Sequence, residues 1–254
     1  MRAIDFNSDM GELRELIEDG TQEAVMASLT SVNVACGGHA GDEFMMHITI
    51  EQALQMNVAV GAHPGYADRE NFGRIELKLS PEAIADSVYE QVCTLDRVAK
   101  ECGAQVGHVK AHGALYNRAV GDREVAAAIT VGVGRWRTDV VLLGLAGSLM
   151  LDVFREAGFA VAAEAFVDRR YEGNGTLRSR KLPDALITDP GEAARQALRI
   201  VERGSVIAAD GTVVPVRPET LCVHGDSPGA AKIAAAVSQE LRRAGAELRP
   251  LCRK

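Results

Sequence analysis

The chain has 254 residues, 47% hydrophobic and 25% charged, the profile of one globular α/β unit able to bury a large core. Its net charge of −7 and pI near 5.5, with no basic stripe to offset them, leave it without the positive field that nucleic-acid binding needs. The longest apolar run, 140–151, is too short to span a bilayer, and the opening segment 1–5 enters a strand with no apolar signal core, so a cytoplasmic protein without a membrane partner is expected.

In chain order, residues 3–9 predict a strand whose alternation puts Asp5, Asn7 and Asp9 on one face and Ile4 and Phe6 on the other. Those polar residues form a floor for a ligand if that face lines a barrel near its mouth; the plainer reading is an edge strand with a solvated face. A helix over 21–28 follows, then an apolar run over 29–36 that ends in Gly37-Gly38-His39-Ala40-Gly41-Asp42, with Asp42 placed to cap a helix over 43–56. Residues 58–62 form the third predicted strand, and 64–74 a long loop rich in glycine and charge. Ser80-Pro81-Glu82 starts a helix that runs to Cys102. The strand over 106–111 puts His108, Lys110 and His112 on one face, with Tyr116 a turn later.

Asp122 caps a helix to about 133, a strand spans 140–145, a helix runs from Ser148 to Gly158, and a strand covers 159–167 with Glu164, Phe166 and Asp168 on one face. The irregular stretch 169–188 carries Arg178, Arg180 and Lys181 and reads as a lid or partner-contact loop. Asp189-Pro190 starts a helix to Arg203, segments 206–209 and 213–216 form a hairpin through Asp210-Gly211, and 220–223 is the seventh strand. Ser227-Pro228 is expected to start the last helix, which reaches Ala244. Five cysteines without a CxxC pair suggest neither a disulfide frame nor a zinc knuckle, and Cys36 reads as a small buried hydrophobe.

Four of the six histidines, His39, His63, His112 and His224, stand where an apolar strand gives way to glycine or proline. Seven strands alternating with helices predict a parallel sheet, and polar residues at nearly every strand end favour a closed barrel, because closure gathers those ends around one mouth. The expected fold is α/β, a single domain built as a distorted, TIM-like parallel (β/α)7 barrel. Neither GxGxxG after the first strand nor GxxxxGK[ST] occurs, so no nucleotide-binding loop of either kind is present.

Six stretches carry a family resemblance: Asp5-Phe6-Asn7-Ser8-Asp9-Met10-Gly11-Glu12, residues 33–42, Gly61-Ala62-His63-Pro64-Gly65-Tyr66, residues 109–117, residues 164–169 and Val223-His224-Gly225-Asp226. In that order they resemble the motifs of the LamB/YcsF family over essentially the whole chain. The resemblance implies a barrel of about seven β/α units related to glycoside hydrolase and polysaccharide deacetylase barrels. It also implies the activity of the A subunit of an ATP-dependent 5-oxoprolinase, which works with subunits B and C and opens 5-oxoproline to L-glutamate with ATP hydrolysis. Departures from the family pattern flank these motifs: a helix-like Leu13-Arg14-Glu15-Leu16, Gly38 in place of a bulky residue, Ile75 in place of an arginine and Ala111 in place of proline.

Hydrolysis of an unstrained lactam needs a base for water, a cation or dipole for the oxyanion and an acid for the leaving nitrogen. Lys110 is the expected cation, Asp9 or one of His39, His63 and His112 the base, and His224 with Asp226 the oriented acid. Arg69, Arg74 or Arg169 is expected to hold the substrate carboxylate, with Asn7, Asn33, Asp42, Tyr66, Tyr116, Glu164 and Asp168 completing the binding set. If ATP first phosphorylates the lactam oxygen, phosphate becomes a leaving group. One rival reading is a deacetylase-like amidohydrolase whose divalent metal is held by Asp9 or Asp42 with His39 and His63. The other is a non-catalytic subunit that binds a small acid.

Overall fold

The computed structural model describes residues 3–252; Met1 and Arg2 of the opening segment lie outside them. Its first half comprises β1 (Ala3–Met10), α1 (Arg14–Glu18), α2 (Thr21–Met26), β2 (Ser31–Ala35), α3 (Glu43–Gln55), β3 (Ala59–His63), α4 (Pro81–Glu101), β4 (Val106–Lys110) and α5 (Gly113–Ala119). The second half comprises α6 (Arg123–Trp136), β5 (Val141–Leu145), α7 (Leu149–Glu156), β6 (Ala160–Phe166), α8 (Pro190–Arg203), β7 (Ser205–Ile207), β8 (Val213–Pro215), β9 (Thr220–Cys222), α9 (Ala230–Arg243) and β10 (Glu247–Leu248).

Strands β1 to β6 pair in sequence order, and β9 pairs in parallel with both β6 and β1, which closes a seven-stranded barrel. The two-residue β10 extends the start of β1 outside that ring. Closure buries both faces of every strand: Val32, Val34, Val60, Val109 and Leu142 face the helix layer, and the alternate residues Asn7, Asn33, His108, Lys110 and Glu164 bond one another across the interior. Several helix starts follow from their caps. Asp42 accepts from Met45 N at 2.8 Å, Ser80 from Ala83 N at 3.2 Å, and Asp189 from Glu192 N at 2.7 Å with Pro190 in the first turn.

The structure departs from the sequence reading in three places. The last helix begins at Ala230, not at Pro228, because Gly229 takes a left-handed φ of 76° and Ala230 N bonds back to Ser227 O, so Ser227-Pro228 is spent in a turn. Helix α5 forms with only Ala111 and His112 between it and β4, and β10 is below the length at which alternation can be read. The hairpin does form, with Val206 opposite Val214 and Gly211 turning at φ 86°. All five cysteines are free, and burial pushes the Cys36 thiol up to about 12. Among the described residues no helix is long and apolar enough to cross a membrane.

Candidate active site

The C-terminal ends of the strands open into a cavity of about 590 Å³, the face on which α/β barrels carry their chemistry. Beneath it lies a buried polar net. Asn7 Nδ2 donates to Thr220 Oγ1 at 2.6 Å and Glu164 Oε1 at 3.2 Å, while Asn33 Nδ2 donates to Asn7 Oδ1 and Asp9 Oδ1, both at 2.8 Å. His108 Nε2 donates to Asn33 Oδ1 at 2.9 Å; burial, then the charge of Lys110, push its pKa down to about 3, so it stays neutral. Asn7 and Asn33, expected in the substrate-binding set, lie in this net beneath the cavity lining.

Lys110 rises from that net at the end of β4, with Nζ 3.0 Å from Asp9 Oδ1 and 2.9 Å from Glu164 Oε1. Burial alone would lower its pKa, but Asp9 and Glu164 hold it well above the usual lysine value, so the ammonium remains charged. Burial would likewise raise Asp9, yet His63 and Lys110 hold it well below the usual carboxylate range. Tyr116 Oη donates to Glu164 Oε2 at 2.9 Å, which leaves Glu164 fully engaged.

Beside Lys110, three histidines and Glu12 converge. Glu12 Oε1 lies 2.9 Å from His39 Nε2, 3.1 Å from His112 Nδ1 and 3.8 Å from His63 Nε2, and the last two nitrogens are 3.0 Å apart. Burial would raise Glu12, but hydrogen bonds from His112 and His39 hold it far below the carboxylate range, and burial pushes His39 down to about 4. Burial opposes a charged His63, but Asp9 Oδ2, 3.3 Å away, holds its pKa above the usual value. Glu12 is a functional candidate that sequence reasoning missed. It follows the turn at Gly11, φ 71°, just past the strand, where alternation no longer reports direction.

Across the cavity His224 Nδ1 lies 3.0 Å from both oxygens of Asp168, and its backbone N–H donates to Asp168 Oδ2 at 2.9 Å. That corrects the expected pairing of His224 with Asp226: Asp226 instead accepts from Arg74 and, at 3.3 Å, from Arg180, clasping the 169–188 loop to the turn after β9. His224 stacks on Phe166 at 5.3 Å, and with Nδ1 committed its Nε2 is left for the cavity it lines. Arg169 is only 6% exposed; its Nη2 donates to Arg178 O, and its Nε has no partner among the described residues. Burial, then the neighbouring charge of Arg180, push its pKa down to about 10. An anion in the cavity relieves both costs.

Three further candidates, Asp42, Arg69 and Tyr66, lie outside the cavity lining. Asp42 caps α3 and pairs with Arg14 at 2.8 Å, outside the cavity lining. Arg69 Nη1 donates to the carbonyls of Gly37 and Gly41, pinning the β2–α3 turn outside the cavity lining. Tyr66 is buried in the core away from the lining. Of the expected metal candidates Asp9 lies 3.3 Å from His63, and a second group, Glu12, His39, His63 and His112, brings its ligand atoms within 4.8 Å of one another and could hold an ion. Residues 176–181 of the loop wall the cavity, with Arg180 and Lys181 among them.

A model of the LamB/YcsF family matches residues 4–254. The chain is 47% identical over 249 residues to the 5-oxoprolinase A subunit of Chloroflexus aggregans, covering 98% of this chain and 99% of that one. It is 45% identical over 244 residues to the corresponding 5-oxoprolinase A subunit of Methylococcus capsulatus, covering 96% and 94%. Among solved structures it resembles the lactam utilization protein from Thermus thermophilus, with a TM-score of 0.90 and 41% identity over 97% of this chain and 99% of that one.

Proposed function

The chain belongs to the LamB/YcsF family, and on that premise we propose that it is the A subunit of an ATP-dependent 5-oxoprolinase, opening 5-oxoproline to L-glutamate in the cytoplasm with partner subunits B and C. The observation that carries this reading is the buried, charged Lys110 facing the same cavity as the His224–Asp168 pair and the half-satisfied Arg169.

Arg169 takes the substrate carboxylate, because its unpartnered Nε is an anion donor already stripped of water. Lys110 neutralises charge on the lactam oxygen, or on a phosphoryl group that ATP places there, from a position fixed by Asp9 and Glu164 before the substrate arrives. His224, with its tautomer set by Asp168, takes a proton from the attacking water and returns it to the ring nitrogen as the C–N bond breaks. The positive residues Lys110, Arg169, Arg180 and Lys181 give the cavity a field suited to an acid or its phosphorylated form.

Glutamate release from 5-oxoproline and ATP tests the proposal, with this chain alone, subunits B and C alone, and all three together. Glutamate only from the complete mixture is the expected result. Binding of 5-oxoproline by an assembled complex that never releases glutamate would favour the non-catalytic reading.

A further inference from the structure

We infer that Glu12, His39, His63 and His112 bind one divalent first-row transition ion, zinc or a near neighbour in softness, on the wall of the cavity. The inference stands apart from the oxoprolinase reading, because it rests on where the lone pairs point and not on any substrate.

Two of the rings have their outer nitrogens committed to backbone carbonyls, which can only accept. His63 Nδ1 donates to Lys110 O at 2.8 Å and His112 Nε2 to Phe72 O at 2.9 Å. Their inner nitrogens, His63 Nε2 and His112 Nδ1, therefore face each other 3.0 Å apart with no room for a hydrogen on both. Glu12 Oε1 lies within 3.1 Å of two of the three inner nitrogens. With His39 donating Nε2–H to Glu12, a single proton shared among Glu12, His63 Nε2 and His112 Nδ1 still serves only one of the remaining pairs, whereas one ion satisfies all four groups. Adjacent ligands about 2.0–2.1 Å from a tetrahedral ion sit roughly 3.3 Å apart; three of the contacts here are 2.9, 3.0 and 3.1 Å. Outer N–H groups held by carbonyls are also how metal-binding imidazoles are oriented.

The surrounding backbone is built to hold these rings. Phe72 adopts a left-handed φ of 55°, costly for an aromatic residue, in the segment whose carbonyl receives His112. Gly65 and Gly73 lie so close that a Cβ would come within 2.9 Å of His39 Nδ1 or 2.7 Å of His39 Cβ. His39 stacks on His112 at 3.6 Å, and its Nδ1 has no partner among the described residues, so it is the ring that can tilt to complete the set. Glu12, His63 and His112 line the cavity, so an ion held there would polarise a carbonyl or phosphoryl oxygen only by taking it as a fifth ligand.

The test uses the full chain without a histidine tag, stripped by chelator and titrated with Zn²⁺ by calorimetry and with Co²⁺ by visible absorption. Expected are one ion per chain, with a Kd below about 1 μM, and cobalt bands of a four-coordinate nitrogen and oxygen set. Glu12→Gln and His39→Gln should each weaken binding by at least about 100-fold, while His47→Gln, on the exposed face of α3 beside Glu101, leaves it unchanged. No stoichiometric ion in the wild type overturns the inference, as does binding that survives both ligand substitutions or disappears in His47→Gln. Should a ligand variant fail to fold, wild-type stoichiometry, the cobalt spectrum and His47→Gln still decide, and none of these readouts needs turnover.

Discussion

Lys110 is buried between Asp9 and Glu164, so its removal has two consequences that a single assay would confuse. Lys110→Met should lower kcat by about 10²–10³-fold through loss of a positioned charge. It should also cost about 3–5 kcal/mol of stability, because two carboxylates are left without their cation. Adding Glu164→Gln should recover much of the melting temperature and none of the turnover; recovery of both would take Lys110 out of the reaction. The choice of partner for His224 is equally testable. Asp168→Asn should reduce kcat by about 10²–10⁴-fold by releasing the imidazole tautomer, whereas Asp226→Asn, which loosens only the Arg74 and Arg180 clasp, should change kcat by less than about tenfold. Equal losses in the two variants would undo the assignment. Alternation along strands made Lys110, His112 and Asp9 legible as site residues. It could not choose between Asp168 and Asp226, because that choice depends on which loop meets the imidazole across the barrel mouth.

At the scale of elements, β3 and β4 fit only because residue 61 has no side chain. Their register shifts between Val60 and Gly61, setting Gly61 opposite His108, and a Cβ on Gly61 would come within 2.1 Å of His108 Nε2. Gly61→Ala should therefore cost about 1–3 kcal/mol by overpacking and a further ~1 kcal/mol as His108 loses Asn33, a fall of roughly 5–15 °C in Tm for a chain of this size. In a double-mutant cycle, His108→Ala should partly rescue Gly61→Ala; strictly additive losses would mean that Gly61 makes no room for the ring. A similar exchange explains Gly38, where a Cβ would come within 2.3 Å of the Gln91 amide, which instead bonds both N and O of Gly65. Helix starts at Asp42, Ser80 and Asp189 were readable because a cap is a local device. The true start of α9 was not, since Gly229 overrides a Ser-Pro signal that is itself a good cap.

The whole barrel is joined where β9 inserts between β6 and β1, and Asp5 is the buried group at that seam. Its carboxylate accepts from Thr220 Oγ1 of β9 at 2.5 Å, from Ser31 Oγ of β2 at 2.8 Å and from Thr30 Oγ1 at 2.7 Å. The alternation that exposed Asp5, Asn7 and Asp9 as one polar face thus held two roles, a seam at Asp5 and a site at Asp9, separated only by depth in a barrel that the one-dimensional pattern does not contain. Burial pushes Asp5 up from 3.8 to about 6 despite those hydroxyl donors. A carboxyl with a raised folded-state value favours the fold most when neutral. Its contribution is complete below pH 3.8 and is lost as pH rises towards about 6, an amount of about 3 kcal/mol. Asp5→Asn removes that titration while keeping an acceptor for Ser31 or Thr30. The difference in unfolding free energy between variant and wild type, measured by denaturant titration, should therefore move in the variant's favour by about 2 kcal/mol between pH 4 and pH 7. A difference that stays flat across that interval would mean that Asp5 is already ionised at acid pH and that its three hydroxyl donors, not its proton, hold the seam closed.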